Sequence, residues 1–241
     1  MAIIVNDVYT TVLTILNKEQ RGYMTPTEFN KVGSQVQREI FEKYFEDLNQ
    51  FERMPQSEAD YSNRIIAIQE KLSPFNKIAT LSASSNNLYT LPTDHYKLGA
   101  VTLTDNSNSR EVEAQRVTKG ELYNINLSPI TKPTKAAPLY SFEEGKLRIY
   151  AGQALETAVS DVVIKANYIK EPSDVVWNFN TGAVGQYTHT TSGSVDFELD
   201  VSEQPNVILR ILVYAGITLQ EAQVMSTAAG IINKEEQNEK R

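Results

Sequence analysis

Three acidic residues near the C-terminal end of the chain have a spacing that a cation site could use. Asp196, Glu198 and Asp200 alternate with Phe197 and Leu199, so in a strand the carboxylates would share one face. Carboxylate oxygens are ligands that hard cations such as Ca²⁺ prefer. No EF-hand loop pattern accompanies them, and the solvated face of a half-buried strand explains the same alternation. We favour that interpretation and predict no metal site.

Composition limits histidine and cysteine chemistry. The chain has two histidines and no cysteine, which excludes disulfides, thiolate metal sites and cysteine nucleophiles. Asp94-His95-Tyr96 could serve acid–base catalysis, but such groups need a positioned partner, and the sequence identifies none. A turn that enters a strand explains these residues better. His189 lies in a Thr-rich stretch and belongs to no motif.

Glycine-rich and nucleophile motifs are incomplete. Gly182-Ala183-Val184-Gly185 lacks the Lys-Ser/Thr that follows in a phosphate-binding loop. The chain has no Gly-x-Ser-x-Gly motif. Asn126-Leu127-Ser128 matches a glycosylation acceptor, which we interpret as a chance match because the N-terminus has no secretion signal. The sequence therefore predicts neither an enzyme nor a cofactor.

Charge and hydropathy restrict the partners. The 241 residues include 23 Lys and Arg against 30 Asp and Glu, a net charge of −7. Strong general binding to nucleic acid needs clustered cations, and no basic arm is present. No uncharged run approaches the length of a membrane span. We therefore expect a globular chain that does not insert into a membrane.

Helical periodicity dominates the first third of the chain. It predicts three helices, over residues 7–19 with Asn6 or Asp7 as N-cap, from Thr25 to before Pro55, and from after Ser57 to residue 73. Thr25-Pro26-Thr27-Glu28 has the residues of a capping box, with proline at the first helical position.

The middle of the chain changes to the alternation of short strands. Strands are predicted over residues 88–91, 96–103, 112–116, 139–142, 147–150 and 162–168, and residues 195–199 alternate in the same way. Closely spaced turns favour a small antiparallel β-sandwich or barrel within residues 76–202. Residues 178–193 are rich in Gly, Thr and Asn, and we interpret them as a long loop or a loose hairpin arm.

A long C-terminal helix is predicted to open at Ser202-Glu203-Gln204-Pro205. With the N-terminal helices it gives an α+β fold in which residues 1–75 and 203–232 form a helical bundle. Residues 233–241 are almost wholly polar and are predicted to be a flexible tail.

Three groups of residues are candidates for contacts with partners. Phe41 and Phe45 widen the apolar face of the second helix and would pack either inside the subunit, which we favour, or against a neighbouring one. Tyr187 and His189 could belong to a recognition surface on the arm. The tail supplies polar candidates: Asn233, Lys234, Glu235, Glu236, Lys240 and Arg241.

The order of several short motifs resembles a known family. A helical N-terminus is followed by Leu91-Pro92-Thr93-Asp94, by Pro138-Leu139-Tyr140, by residues 167–172 with the sequence NYIKEP and by Asp196-Phe197-Glu198-Leu199, and then by a C-terminal helix. This pattern resembles the head-to-tail connector, or tail tubular, proteins of short-tailed bacteriophages. It is closest to the ring proteins below the portal in crAss-like phages.

The resemblance implies a structural subunit of the virion neck or tail, made in the host cytoplasm. It implies a homo-oligomeric ring, usually dodecameric, that docks below the portal protein and contacts further tail or ring proteins. Double-stranded DNA would pass through the ring without sequence-specific binding, which an acidic chain suits. The alternative is a tail-associated β-domain module that contacts a host glycan or another tail protein through the arm.

Deletion of residues 233–241 tests whether the tail is a docking segment. The tail has no apolar residue to bury, so the truncated subunit should remain folded and equally heat-stable. Each exposed charge pair contributes about 1 kcal/mol or less, so attachment depends on repetition around the ring and should weaken further at high salt. Thermal unfolding and a particle co-sedimentation assay measure the two effects. Equal assembly of the truncated and full chains would show that the tail only aids solubility.

Overall fold

The chain is divided into two compact units. The computed structural model describes residues 2–18, 24–53, 60–85, 87–106, 110–152, 162–218 and 222–239. The helical unit consists of residues 1–74 and 172–241, and the barrel unit consists of residues 75–171. Residues 172–202 lie in the helical unit, whereas the sequence pattern grouped them with the β part.

The described elements make the fold mixed α+β. The helices are α1 (Val5–Lys18), α2 (Pro26–Arg53), α3 (Asp60–Leu72), α4 (Lys119–Leu127), α5 (Gln204–Thr218) and α6 (Ala222–Glu239). The strands are β1 (Ala2–Ile3), β2 (Asn76–Ser85), β3 (Leu88–Thr90), β4 (His95–Asp105), β5 (Arg110–Arg116), β6 (Leu139–Glu143), β7 (Lys146–Tyr150), β8 (Val162–Lys170), β9 (Phe179–Thr181), β10 (Tyr187–His189) and β11 (Phe197–Asp200). Short 3-10 turns precede β2 and α5, at Ser73–Phe75 and Val201–Glu203.

The predicted capping box at the start of α2 is confirmed. The Thr25 N–H donates to Glu28 Oε2 at 2.9 Å, and the Glu28 N–H donates to Thr25 Oγ1 at 3.4 Å. The backbone N–H and hydroxyl of Thr25 hold the pKa of Glu28 below its usual value. Thr118 and Glu121 form the same reciprocal pair at the start of α4.

The apolar face of α2 packs inside the helical unit. Phe29, Val36 and Ile40 are buried, as are Phe41 and Phe45, whose rings meet edge to face at 5.1 Å. The aromatic stripe therefore belongs to the unit's own core, and neither phenyl ring is exposed to a neighbouring subunit.

A second, polar stripe of α2 binds the backbone of the extended segment 173–177. Gln37 is only 1% exposed. Its Nε2 donates to the Ser173 carbonyl at 2.7 Å, and its Oε1 accepts the Glu198 N–H at 2.8 Å. One amide side chain thus satisfies backbone groups of two separate extended segments.

The next two turns of α2 toward its N-terminus continue this contact. Ser34 Oγ accepts the Val175 N–H at 3.0 Å. Asn30 Oδ1 accepts the Trp177 N–H at 2.8 Å, and Asn30 Nδ2 donates to the Trp177 carbonyl at 3.3 Å. Alternate residues of the extended segment therefore meet successive turns of the helix.

The C-terminal region contains two helices in place of the single long one. α5 ends at Thr218 and α6 begins at Ala222, and the two lie against each other. Gly216, near the end of α5, lowers helix propensity at this point. A long C-terminal helix and the bundle built on it are not confirmed. α6 extends to Glu239, so it includes most of the segment predicted to be a flexible tail.

The barrel unit is a closed seven-stranded barrel with the strand order β2-β3-β7-β6-β5-β4-β8. All neighbouring strands are antiparallel except β5 and β6, where Gln115 pairs with Leu139 in parallel. Of the two predicted β architectures, the barrel is therefore the one present. Its interior contains Leu81, Tyr89, Leu91, Val101, Leu103, Ala114, Tyr140, Leu147, Ile149, Ala151, Ile164 and Ala166.

Two local backbone features shape the barrel: a tight turn between β6 and β7, and a close approach of β4 to β8. The strands predicted over residues 139–142 and 147–150 are present as β6 and β7, and a hairpin joins them with positive φ at Glu144 and Gly145, as a primed two-residue turn requires. Gly99 lies at an irregularity of β4, where a Cβ would come within 3.2 Å of the Asn167 carbonyl oxygen. A side chain at that position would force the β4 and β8 backbones apart.

Replacing Gln37 by Leu should destabilise the helical unit. Leucine has a similar size but leaves the Ser173 carbonyl and the Glu198 N–H without their buried partner, which costs about 2–4 kcal/mol of unfolding free energy. Gln35→Leu is the matched control, because Gln35 bonds only Glu39 on the surface of the same helix and should cost about 0.5 kcal/mol or less. Urea unfolding measures both. Equal stability of the two variants would contradict the role of Gln37.

Candidate interaction surface

The segment 178–193 forms a hairpin arm. β9 and β10 pair with Tyr187 opposite Thr181 and His189 opposite Phe179. The turn is closed by the Gly182 N–H, which donates to the Gln186 carbonyl at 2.8 Å. Of the two interpretations from the sequence, a long loop or a hairpin arm, the structure has the hairpin.

A stack of rings anchors the arm in the helical unit. The Trp177 indole stacks on Phe179 at 5.8 Å and on the imidazole of His189 at 5.4 Å. On its other side it meets Tyr9 of α1 at 4.3 Å, and its Nε1 donates to Asn6 Oδ1 at 3.1 Å. The base of the arm is therefore held by ring packing and by a hydrogen bond to α1.

Hydrogen bonds close the base of the arm. The Asn178 N–H donates to Ser194 Oγ at 3.1 Å, and Asn178 Nδ2 donates to the Ser192 carbonyl at 2.7 Å. His189 Nε2 lies 3.1 Å from Ser194 Oγ. The imidazole of His189 thus has a structural place, stacked on one side and hydrogen-bonded at its edge.

The arm presents a neutral, partly aromatic surface. Residues 175–195 contain no Asp, Glu, Lys or Arg. Tyr187 packs edge to face on Phe179 at 4.9 Å and remains 39% exposed, and Val184 is exposed in the turn. Such a surface can be covered by a protein or a carbohydrate without the cost of removing a charge from water.

The three carboxylates of the candidate cation site each accept a backbone N–H. Asp196 Oδ1 accepts the Val5 N–H at 2.8 Å, at the first residue of α1, where a negative charge is favourable. Asp196 thus occupies the role predicted for Asn6 or Asp7. No group of three or more His, Asp or Glu side chains in the described ranges could hold a metal ion.

The other two carboxylates bind the extended segment 173–177 and the turn after β11. Glu198 Oε2 accepts the Ser173 N–H at 3.4 Å, and Asp200 Oδ1 accepts the Ser202 N–H at 3.0 Å. The Ser202 N–H lowers the pKa of Asp200 below its ordinary value. The acidic strand face is therefore more than a solvated surface, because its carboxylates bind the backbone of α1, of the extended segment and of the turn after β11.

Asp94 and His95 have structural contacts within the barrel unit. His95 Nδ1 lies 3.1 Å from the Pro92 carbonyl, and the Tyr168 hydroxyl donates to Asp94 Oδ1 at 3.3 Å. Partial burial, with the charge of Asp94, raises the pKa of Tyr168. These contacts match a turn that enters β4.

The tail candidates are only partly described. Asn233 and Lys234 are exposed on α6. Glu235 and Glu236 belong to the helix, but their side chains, and residues 240–241, lie outside the described part of the chain.

A second exposed surface, which the sequence analysis did not identify, lies on the barrel unit. We call it the α4 patch: Tyr123, Leu127 and Ile130, which are 66%, 82% and 93% exposed. Tyr123 and Leu127 lie one turn apart on α4, and Thr131 Oγ1 donates to the Ile125 carbonyl at 2.8 Å to fold the following turn back. The sequence feature that could have indicated this surface is the lack of any charged residue over residues 122–131.

No helix among the described residues is long and apolar enough to span a membrane. Comparison of the chain with known protein families and with curated proteins gave no match.

Replacing Asp196, Glu198 and Asp200 together by Asn, Gln and Asn should leave the protein folded, because each amide oxygen can still accept a backbone N–H. The pKa of Asp200 is depressed in the folded state, so its contribution is present above its unfolded pKa and is lost as the pH falls through the folded value. Stability should therefore depend less on pH on the acid side in the triple variant than in the natural chain. Thermal melts across that range measure it. Loss of a tightly bound metal on substitution would contradict the structural role.

Proposed function

We propose that this chain is a structural virion protein, a ring-forming head-to-tail connector or adaptor below the portal that joins the capsid to the tail and lines the DNA passage. The observation that carries the proposal is a pair of neutral, exposed apolar surfaces, the arm on one unit and the α4 patch on the other. The order of sequence motifs supports the same family.

The exposed apolar surface favours an assembled subunit over a solitary one. Leu127 and Ile130 are almost fully exposed, and burying one such side chain is worth about 1.5–3 kcal/mol. Three large apolar side chains close together on a short helix and its turn are typical of an interface. A ring would cover such a surface on every copy.

In this proposal the helices form the bundle of a dodecameric ring, with α5 and α6 together taking the place of a long C-terminal helix. The barrel faces the next tail or ring protein, and residues 233–241 dock on the portal protein. The net charge of −7 suits a passage that double-stranded DNA crosses without being held. The role is structural, without catalysis or a cofactor, in the virion neck or tail of a phage whose proteins are made in the host cytoplasm.

The arm favours one alternative, a tail-associated module that contacts a host glycan or another tail protein. Tyr187 and the stacked rings beneath it form a neutral, partly exposed aromatic surface, and tyrosine is common where one edge of a ring is covered and the other is wet. In this alternative Tyr187 and His189 would be the contact residues, and the chain would act without forming a ring.

Electron microscopy of purified particles tests the proposal. We expect the chain in a closed ring between the portal and the tail, identified by antibodies raised against the subunit. Isolated copies away from any ring would overturn it. A monomer that retains binding to an immobilised glycan, with binding lost in Tyr187→Ala, would favour the alternative, and Tyr123→Ala is the matched control on the other unit.

A further inference from the structure

The arm is a two-stranded sheet in which β9 pairs only with β10 among the described strands. Two backbone hydrogen bonds lie at the ends of this pairing. The Gly182 N–H donates to the Gln186 carbonyl at 2.8 Å, and the Thr190 N–H donates to the Asn178 carbonyl at 2.9 Å. Because bonded and non-bonded pairs alternate along antiparallel strands, every second residue between these bonds directs its backbone groups away from the partner strand.

On β9 the outward residues are Phe179 and Thr181, and we call their backbone groups the β9 edge. The Phe179 N–H is used locally, since it donates to Asn178 Oδ1 at 3.0 Å. The Phe179 carbonyl and both backbone groups of exposed Thr181 have no hydrogen-bond partner in the described part of the chain. Residues 178–195 contain no Lys, Arg, Asp, Glu or Pro, the residues that commonly block an exposed strand edge. The β9 edge is therefore open to a further strand.

β10 is the strand whose fit beside β9 the structure shows directly. Phe179 and Thr181 share a face of the hairpin with Tyr187 and His189, which lie opposite them. The Tyr187 ring packs edge to face on Phe179 at 4.9 Å. On β10, residues 187 and 189 are the outward ones, by the same alternation.

This alternation fixes which side chains would meet when a second β10 is added to the β9 edge. Outward residues of one strand can bond only outward residues of the other, so residues 179 and 181 must face residues 187 and 189 of the added strand. Directly opposite residues point to the same side of a sheet. Phe179 would then have the rings of a β10 strand on both sides, which is a fit that few other strands would reproduce.

We propose that the β9 edge of one copy pairs, antiparallel, with the outer edge of β10 in a second copy. The proposal rests on the proposed function and deepens it by naming the strands that join neighbouring subunits. Because the two edges differ, the contact is heterologous, and each arm uses one edge on each neighbour. A rotation axis that runs along the arms keeps all hairpins in one direction, so β9 meets β10 antiparallel at every step of a closed ring.

Thr181→Pro tests the backbone contact. Proline has no N–H and is tolerated at a strand edge where the N–H points outward, so the hairpin should still form. Thr181→Val is the matched control, because it keeps the N–H and the β-branched shape. Self-association of the full chain, measured by sedimentation over a range of concentrations, should weaken at least tenfold in Thr181→Pro and change less than twofold in Thr181→Val. The melting temperatures should be unchanged.

Three results of this experiment would overturn the proposal. The first is a natural chain that stays monomeric over the whole concentration range. The second is equal association of the natural chain and Thr181→Pro. The third is an equal loss in Thr181→Val, which would assign the contact to the side chain of residue 181 and not to its backbone.

Disulfide trapping identifies the two strands without the proline variant. Asn180 and Thr188 lie opposite each other on the face away from the rings, and both are exposed. The natural chain has no cysteine, so Asn180→Cys and Thr188→Cys each introduce a single thiol. Under mild oxidation, a mixture of the two full-length variants should form at least tenfold more disulfide-linked dimer than either variant alone.

Gln115→Cys is the control for random collisions, because Gln115 is exposed on β5 of the barrel unit. It replaces Thr188→Cys in the mixture with Asn180→Cys. If the pair of arm variants gives no more mixed dimer than this control, the proposal is wrong. Dimers that form mainly from one arm variant alone would also overturn it, because they would indicate a two-fold symmetric contact.

The two proposals fail separately. A ring seen in particles without trapping between residues 180 and 188 would retain the connector function and reject this contact. Trapping without a ring in any particle would retain the contact as self-association and reject the connector function. If Thr181→Pro detaches the chain from particles although the natural chain does not self-associate, the added strand comes from another protein, and a second copy is rejected as the occupant.

Discussion

The helical unit depends on a match between two periodicities. Side chains on one face of a helix recur every three or four residues, whereas every second residue of an extended segment faces the same way. Asn30, Ser34 and Gln37 follow the first rule, and the residues they bind between Ser173 and Trp177 follow the second. Because buried backbone groups need partners, these three side chains bind one side of the extended segment to the helix, while Val176 exchanges backbone hydrogen bonds with Val195 on the other.

Other features follow from this contact. Gln37 also holds the Glu198 N–H, which places β11 beside α2 and lets it pair with β1. Asp196, just before β11, then reaches the first N–H of α1. At the other end of the segment, Asn30 fixes the backbone of Trp177, and the indole anchors the arm. A polar stripe on one helix therefore positions both the N-terminus of the chain and the candidate interaction surface.

Local signals in the sequence predicted the elements they directly govern. Thr25 and Glu28 specify the start of α2 through bonds within one turn, and Gly145 specifies a two-residue hairpin through its positive φ. Strand β2 was not predicted, because its large apolar residues, exposed Ile78 and buried Leu81, are three residues apart and so lie on opposite faces of the strand. Its strand state comes from pairing with β8 along one half and with β3 along the other.

The candidate site was predicted less completely, because its residues acquire their roles from distant partners. Asp196, Glu198 and Asp200 share an acidic face in the sequence, but the bonds that define them reach Val5, Ser173 and Ser202. The sequence placed Tyr187 and His189 on the arm, but their packing depends on contacts it did not indicate, of Tyr187 with Phe179 and of His189 with Trp177. The α4 patch was missed because an apolar residue in a short helix normally indicates a core contact, and only burial shows otherwise.

The net charge of −7 limits which surfaces of two copies of the chain can meet. Neighbouring copies with the same net charge repel one another, and this repulsion is weakest where the contact itself contains no charge. The α4 patch and the arm satisfy that condition, since residues 122–131 and 175–195 contain no Asp, Glu, Lys or Arg. A single contact of a few side chains would be weak, but in the proposed ring each copy would be held on two sides, and the closing contact would form at high effective concentration. Ring closure would then compensate for the small area of each contact, while the acidic residues remain in water, where they limit aggregation.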